Sequence, residues 1–294
     1  MCRSEKEKNM EKKNNKMKEI MEQLENGVAD VFTSDKYKRL LTMFAQFHNY
    51  SLNNCILIIS QMPEASRCAS FATWKKLGFI VKKGSKGIKV IVPIPYRYER
   101  EKEETDENGE TVMTTETAEG LGFKVGNVFD VSQVSGDFPK LANELTDNSQ
   151  EIQRAVDSVI SQADNIFYDK KLIGNSANGY YSLDDKTIHL RPDMSALQTF
   201  KTLVHEKAHS ILHADKDCPY NRNEAEVQAE SCAYTVCSAL GLDTSCYSFG
   251  YIAGWSKGKE LKELKSSLAL IERTAKELLR WLENATDLKT AEGF

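Results

Sequence analysis

The chain has 294 residues, 40% of them hydrophobic and 28% charged, with a formal net charge of -4. That balance excludes a disordered or collagen-like chain, and no apolar run reaches the ~20 residues of a membrane-spanning helix. The near-neutral total names no partner, so only the distribution of charge is informative. The opening stretch MCRSEKEKNMEKKNNKMKEI is charged throughout and has no apolar core, so it does not read as a signal peptide. The seven cysteines show no CxxC and irregular spacing, as expected of reduced thiols in a cytoplasm. The length predicts two domains, divided at 136/137 into residues 1–136 and 137–294.

In chain order, Met17, Ile20, Met21, Leu24 and Val28 recur at helical spacing and predict a helix over 5–30. A second helix is expected over 35–47, capped by Ser34 or Asp35, and a third after Ser51, ending before Pro63. Tyr50, Asn53 and Asn54 at its start read as capping groups or backbone binders. Residues 78–96 read as two strands around the turn KKGSKG. Residues 99–119 are acidic without a core pattern and predict a solvated excursion from a sheet, such as a hairpin tip. Strand character returns over 123–134, and the polar stretch 136–148 with Gly136 and Pro139 marks the expected domain boundary.

Within this first half, Lys75, Lys76, Lys82, Lys83, Lys86 and Lys89 lie close together with no acid among them, interleaved with Phe71, Trp74 and Phe79. A cationic groove with aromatic faces suits single-stranded nucleic acid, in which phosphates meet lysines and bases stack on rings. The same composition also fits a solvated face laid over core aromatics. Trp74 and the six lysines are the candidate DNA-binding residues.

The second half opens with a helix expected over 149–164, then a hairpin over 179–190 whose strand TIHL is expected to be an edge able to hold an extended substrate. From Ser195 onward Leu197, Phe200, Val204, Ala208 and Ile211 recur at three and four, placing LVHEKAHSILH on an amphipathic helix. Further helices are expected over 222–240, where Cys232 and Cys237 read as small core residues, and over 258–284, where the leucine pattern implies packing on its own domain or a coiled coil.

His205 and His209, four apart, share one helical face and can direct both rings at one zinc ion, with Glu206 beside them as general base. Lys207 inside the motif can point away from the metal. His213 lies about 12 Å along the axis from His205 and cannot join it on one ion. It reads instead as a partner of a ligand, a substrate-facing group or a surface histidine. The third ligand is expected on the downstream helix: Glu226, with Glu230 hydrogen-bonded to a ligating histidine and Glu224 as the alternative ligand. Tyr180, Tyr181 and Tyr251 are candidate oxyanion donors or packing residues.

The segment FHNYSLNNCILIISQMPEASRCASFATWKKLGFIVKKGSKGIKVIVPI, followed by VFDVSQ, resembles the N-terminal domain of ArdC-type antirestriction proteins of mobile elements. HEKAHSILH, EVQAESCAYTVCSALGL and YIAGW agree with the second half of that family and are also similar to the ImmA/IrrE regulatory peptidases. The ArdC resemblance implies an α+β chain: N-terminal helices with a small antiparallel sheet, then a zincin-like metallopeptidase domain. It implies zinc on His205, His209 and Glu226, single-stranded DNA on the basic N-terminal surface, and a peptide or protein substrate if the second domain is active. The alternative is an ImmA/IrrE-like regulatory zinc peptidase whose first domain recognises protein rather than DNA.

Overall fold

The computed structural model describes residues 5–47, 50–105, 111–136, 149–215, 221–247 and 249–288. Helix α1 (Glu5–Asp30) buries Ile20, Leu24 and Val28 on one stripe. In α2 (Ser34–Gln46), Tyr37, Leu40, Leu41 and Phe44 do the same. The N-cap position of α2 is Thr33, one residue before Ser34 and two before Asp35, the expected caps. In α3 (Leu52–Gln61), entered from Ser51, five consecutive residues from Cys55 to Ile59 are buried, because the helix lies between α1 and a sheet.

That sheet is antiparallel, ordered β1-β4-β3, with β1 Cys68–Ser70, β3 Ile88–Thr105 and β4 Thr111–Asp130. The α3 amides close the outer edge of β3. The Asn54 amide donates to the Ile91 carbonyl and accepts its N–H, both at 2.9 Å. Gln61 does the same to Lys89, at 2.8 and 2.9 Å. Two side chains thus stand in for a neighbouring strand and satisfy an edge that would otherwise recruit another chain. Asn54 is a backbone binder rather than a cap.

Beyond this covered base, β3 and β4 run on as a two-stranded ribbon, the expected excursion. Its charges pair across the strands, Arg97 with Glu119 at 3.0 Å and Arg100 with Glu116. Tyr96 lies over Gly120, where a Cβ would fall 2.5 Å from the ring.

The strand pair expected around KKGSKG does not form. Strand β2 (Ile80–Val81) instead pairs antiparallel with β5 (Val134–Ser135). The chain reaches β5 through a 3-10 turn, Val131–Gln133, held by a capping box in which Asp130 is the cap. The buried Asp130 carboxylate also accepts the Ser66 and Arg67 N–H groups, at 2.8 and 3.0 Å. The VFDVSQ motif is therefore a latch between two loops, and a nonlocal pairing takes β2 away from its neighbour in sequence. A short helix α4 (Phe71–Lys76), capped by Ser70, completes this region.

The expected boundary stretch lies mostly outside the described residues, at 137–148. Helix α5 (Ser149–Gln162) follows, then a second sheet ordered β6-β8-β7, made of β6 Ile166–Tyr168, β7 Gly179–Ser182 and β8 Thr187–Leu190. Strands β7 and β8 form the expected hairpin. TIHL, however, is the central strand and not an edge, because β6 pairs with it in parallel on its other side. The edge strands of this sheet are β6 and β7.

Helix α6 (Ala196–Leu212), capped by the Ser195 hydroxyl, packs on this sheet and on α7 (Arg222–Ala239). A short α8 (Ile252–Ser256) leads to α9 (Leu261–Ala285), whose Leu264, Leu268, Ile271, Leu278 and Leu282 stripe packs within the chain against α7, as does α2. The Tyr37 hydroxyl donates to Ser231 at 2.8 Å, and the Tyr37 and Phe249 rings meet edge to face at 5.2 Å. The main hydrophobic core consequently runs without a break from the N-terminal helices through α6, α7 and α9. The architecture is α+β. Among the described residues no helix is long and apolar enough to cross a membrane.

Candidate metal centre

The buried side of α6 is set by Phe200, Leu203, Val204 and Ala208, which leaves His205 and His209 on the flank facing α7. Their Nε2 atoms lie 3.1 Å apart. From α7, Glu226 Oε2 stands 3.4 Å from His205 Nε2 and 3.7 Å from His209 Nε2. Donors bound to a tetrahedral zinc at about 2.0–2.1 Å are separated by about 3.3 Å. Two imidazoles and a carboxylate thus converge at spacings that fit a divalent ion, and among the described residues they are the group of such side chains placed to hold one.

The electrostatics agree. The two histidine hydrogen bonds hold the Glu226 carboxyl far below its ordinary value. Burial works against a charged His205, but the hydrogen bond to Glu226 and the charges of Glu206, Glu226 and Glu230 outweigh it, and its pKa is raised. Glu206 is 8% exposed, and burial raises its carboxyl despite the two histidines. Its carboxylate takes a hydrogen bond from the Tyr181 backbone on β7. This contact requires β7 to lie close against α6, and Gly179 permits it: a Cβ there would fall 2.7 Å from Thr202 Cγ2 and 2.8 Å from the His189 carbonyl oxygen.

Other candidates are placed differently from the sequence reading. Glu230 receives the Tyr251 hydroxyl rather than a ligating histidine, because α8 brings Tyr251 onto it. Glu224 accepts Lys259 Nζ at 3.1 Å and is occupied away from the cluster. Tyr180 stacks on His189 at 4.6 Å, with its hydroxyl 3.4 Å from Asp169. Lys207 does point away, over the Trp281 ring at 5.3 Å. His213 is buried, with Nδ1 3.0 Å from His209 Nδ1 and Nε2 3.1 Å from Gln228 Oε1. Gln228 was not foreseen. Its only signal was its position two residues after Glu226.

In the basic region, Lys75, Lys76, Lys82, Lys83, Lys86 and Lys89 are all exposed. Lys82 donates to the Ser132 carbonyl at 2.9 Å, and Lys89 faces Glu19 at 3.9 Å. Trp74 corrects the expectation of a base-stacking ring. It is fully buried, packed edge to face on Phe79, with its indole N–H donating to the Phe129 carbonyl at 2.8 Å. With Ala69 and Val134 it forms a small core of its own, and no face remains for a base. Phe71, 56% exposed beside Phe129, is the aromatic left at the surface there.

Fold and site together define an α+β protein with a two-histidine, one-glutamate candidate metal centre. Residues 10–129 match the family model for the N-terminal domain of anti-restriction factor ArdC. It is 29% identical over 312 residues to the Bacillus anthracis protein pXO2-81, an alignment covering 94% of this chain and 52% of that one; the chain spans about half the length of this curated relative. Two crystal structures of the antirestriction ArdC protein from plasmid R388 are also similar. The metal-free form is 21% identical with a TM-score of 0.46 over 80% of this chain and 86% of that one. The Mn(II)-bound form is 20% identical with a TM-score of 0.43 over 82% and 86%.

Proposed function

We propose that this protein binds single-stranded DNA of a mobile element in the cytoplasm through the basic surface of residues 1–136, shielding it from restriction, and that residues 137–294 form a zincin-like, zinc-dependent peptidase domain. The convergence of His205, His209 and Glu226 beside the buried Glu206 carries the second part of this reading. The ArdC N-terminal match and the exposed lysines support the first.

When bound, zinc would polarise a water and a substrate carbonyl. His205, His209 and Glu226 would hold it. Glu206, its carboxyl raised by burial, is suited to take the proton from that water and deliver it to the leaving amine. The Tyr181 backbone N–H fixes the Glu206 carboxylate for that transfer. Strand β7, an edge of its sheet, lies next to it, where an extended peptide could pair.

The test has two parts. Fluorescence anisotropy with a labelled single strand and the matching duplex, over a salt series, should show tighter, salt-sensitive binding of the single strand. No binding at low salt would remove the DNA reading and favour a regulatory peptidase of ImmA/IrrE type that recognises protein, a reading to which the burial of Trp74 lends weight. Glu206→Gln should retain zinc and lose peptide cleavage. Cleavage surviving in that variant would sink the mechanism.

A further inference from the structure

We infer that His213 is the positioning residue of the metal centre, fixing the ring of His209 through a hydrogen-bond chain that ends on Glu224 and Lys259. The inference rests on the reading of His205, His209 and Glu226 as the ligand set.

The chain follows from donor and acceptor counting. If His209 offers the Nε2 lone pair to a metal, its single ring proton sits on Nδ1. That N–H faces His213 Nδ1 at 3.0 Å, which must accept. His213 then carries its own proton on Nε2, 3.1 Å from Gln228 Oε1. The Gln228 NH2 group is left to donate, and it lies 3.1 Å from Ser267 Oγ and 3.4 Å from Glu224 Oε1. The far oxygen of Glu224 receives Lys259 Nζ at 3.1 Å. Each step permits one direction only. In the reverse sense the Gln228 carbonyl would face the Glu224 carboxylate, and His209 would turn an N–H toward His205.

Burial gives the chain its force. His213 and Gln228 are 4% and 6% exposed, so water competes poorly for either. A ligating histidine ordinarily donates its second N–H to a carboxylate, a backbone carbonyl or water, and that partner sets tautomer, ring angle and basicity. Here a histidine and a glutamine relay the contact to a carboxylate further off. The relay spans α6, α7 and the start of α9, three elements brought together by the core. His213 is the C-cap residue of α6, and its backbone N–H bonds the His209 carbonyl at 2.9 Å, so ring and backbone brace the same ligand.

The experiment is zinc affinity by chelator competition on the full chain, for wild type, His205→Ala, His213→Leu, His213→Gln and Gln228→Leu, with thermal melts of the metal-free forms to establish folding. His213→Leu should weaken zinc by about 10- to 100-fold, and His213→Gln, which restores an acceptor, should recover most of the loss. Long-range imidazole nitrogen NMR on zinc-loaded wild type should show His209 protonated at Nδ1, with a slowly exchanging proton that His213→Leu releases to solvent. Zinc binding by His213→Leu within about twofold of wild type overturns the inference. So does a wild-type spectrum with His209 protonated at Nε2, even if the leucine variant fails to fold. A wild type that binds no zinc, or binds it equally well as His205→Ala, overturns the ligand reading beneath it.

Discussion

Two regions carried the functional reading, and they fared differently in three dimensions. The His-Glu-x-x-His segment lies on a helix where four-residue spacing alone brings two rings to one face, and the structure keeps them there, 3.1 Å apart. The basic region between Lys75 and Lys89 has no such local rule. Its lysines remain at the surface, while its tryptophan is drawn into a separate small core with Val134, sixty residues away in sequence. Chemistry written into helical periodicity survives folding. Chemistry inferred from neighbouring composition is sorted again by burial.

The sharpest test of this contrast is Trp74→Ala set against Phe71→Ala. Removing the buried indole should cost about 3–5 kcal/mol and lower Tm markedly, whereas the exposed Phe71 should change stability by about 0.5 kcal/mol or less. Equal, small effects on denaturant unfolding would return Trp74 to the surface. Next in size, Glu226→Ala removes one of three ligands brought together from two helices, and zinc affinity should fall by more than about a hundredfold, beyond the effect of an outer partner. Calorimetric binding unchanged from wild type would place the third ligand elsewhere.

Gly179→Ala should destabilise the protein by about 1–3 kcal/mol, because the new Cβ meets a backbone carbonyl that cannot rotate away. A neutral result in thermal melts would mean that β7 does not lie tight against α6. The smallest effect belongs to the lysines. Lys82, Lys83 and Lys86 replaced together by alanine should flatten the log–log salt dependence of single-strand binding by about 2, at ~0.7 per phosphate contact. An unchanged slope would turn these lysines into a solvated face.

Much of the chain could be read in advance where the signal was local. The long helices and the β7–β8 hairpin follow from periodicity and turn composition within a few residues. The misreadings share another origin. TIHL became a central strand because β6, twenty residues earlier, pairs on its free side. Strand β2 left its neighbour for β5. Glu230 turned from the histidines to Tyr251, which α8 carries in from beyond α7. Asn54 gave up capping for the edge of β3 because the sheet docks on α3.

By itself, then, the amino-acid order determined that two histidines would share a helix face, that a second helix would offer carboxylates at four-residue spacing, and that lysines would crowd one stretch of the first half. A helix closes its hydrogen bonds within four residues, so its geometry needs no distant partner. Tertiary packing alone decided which carboxylate meets the histidines, which aromatic ring is lost to the core, and that His213 and Gln228 stand behind His209. Those outcomes depend on residues far apart in sequence competing for the same buried space and hydrogen bonds, and burial forces each polar group to find its partner.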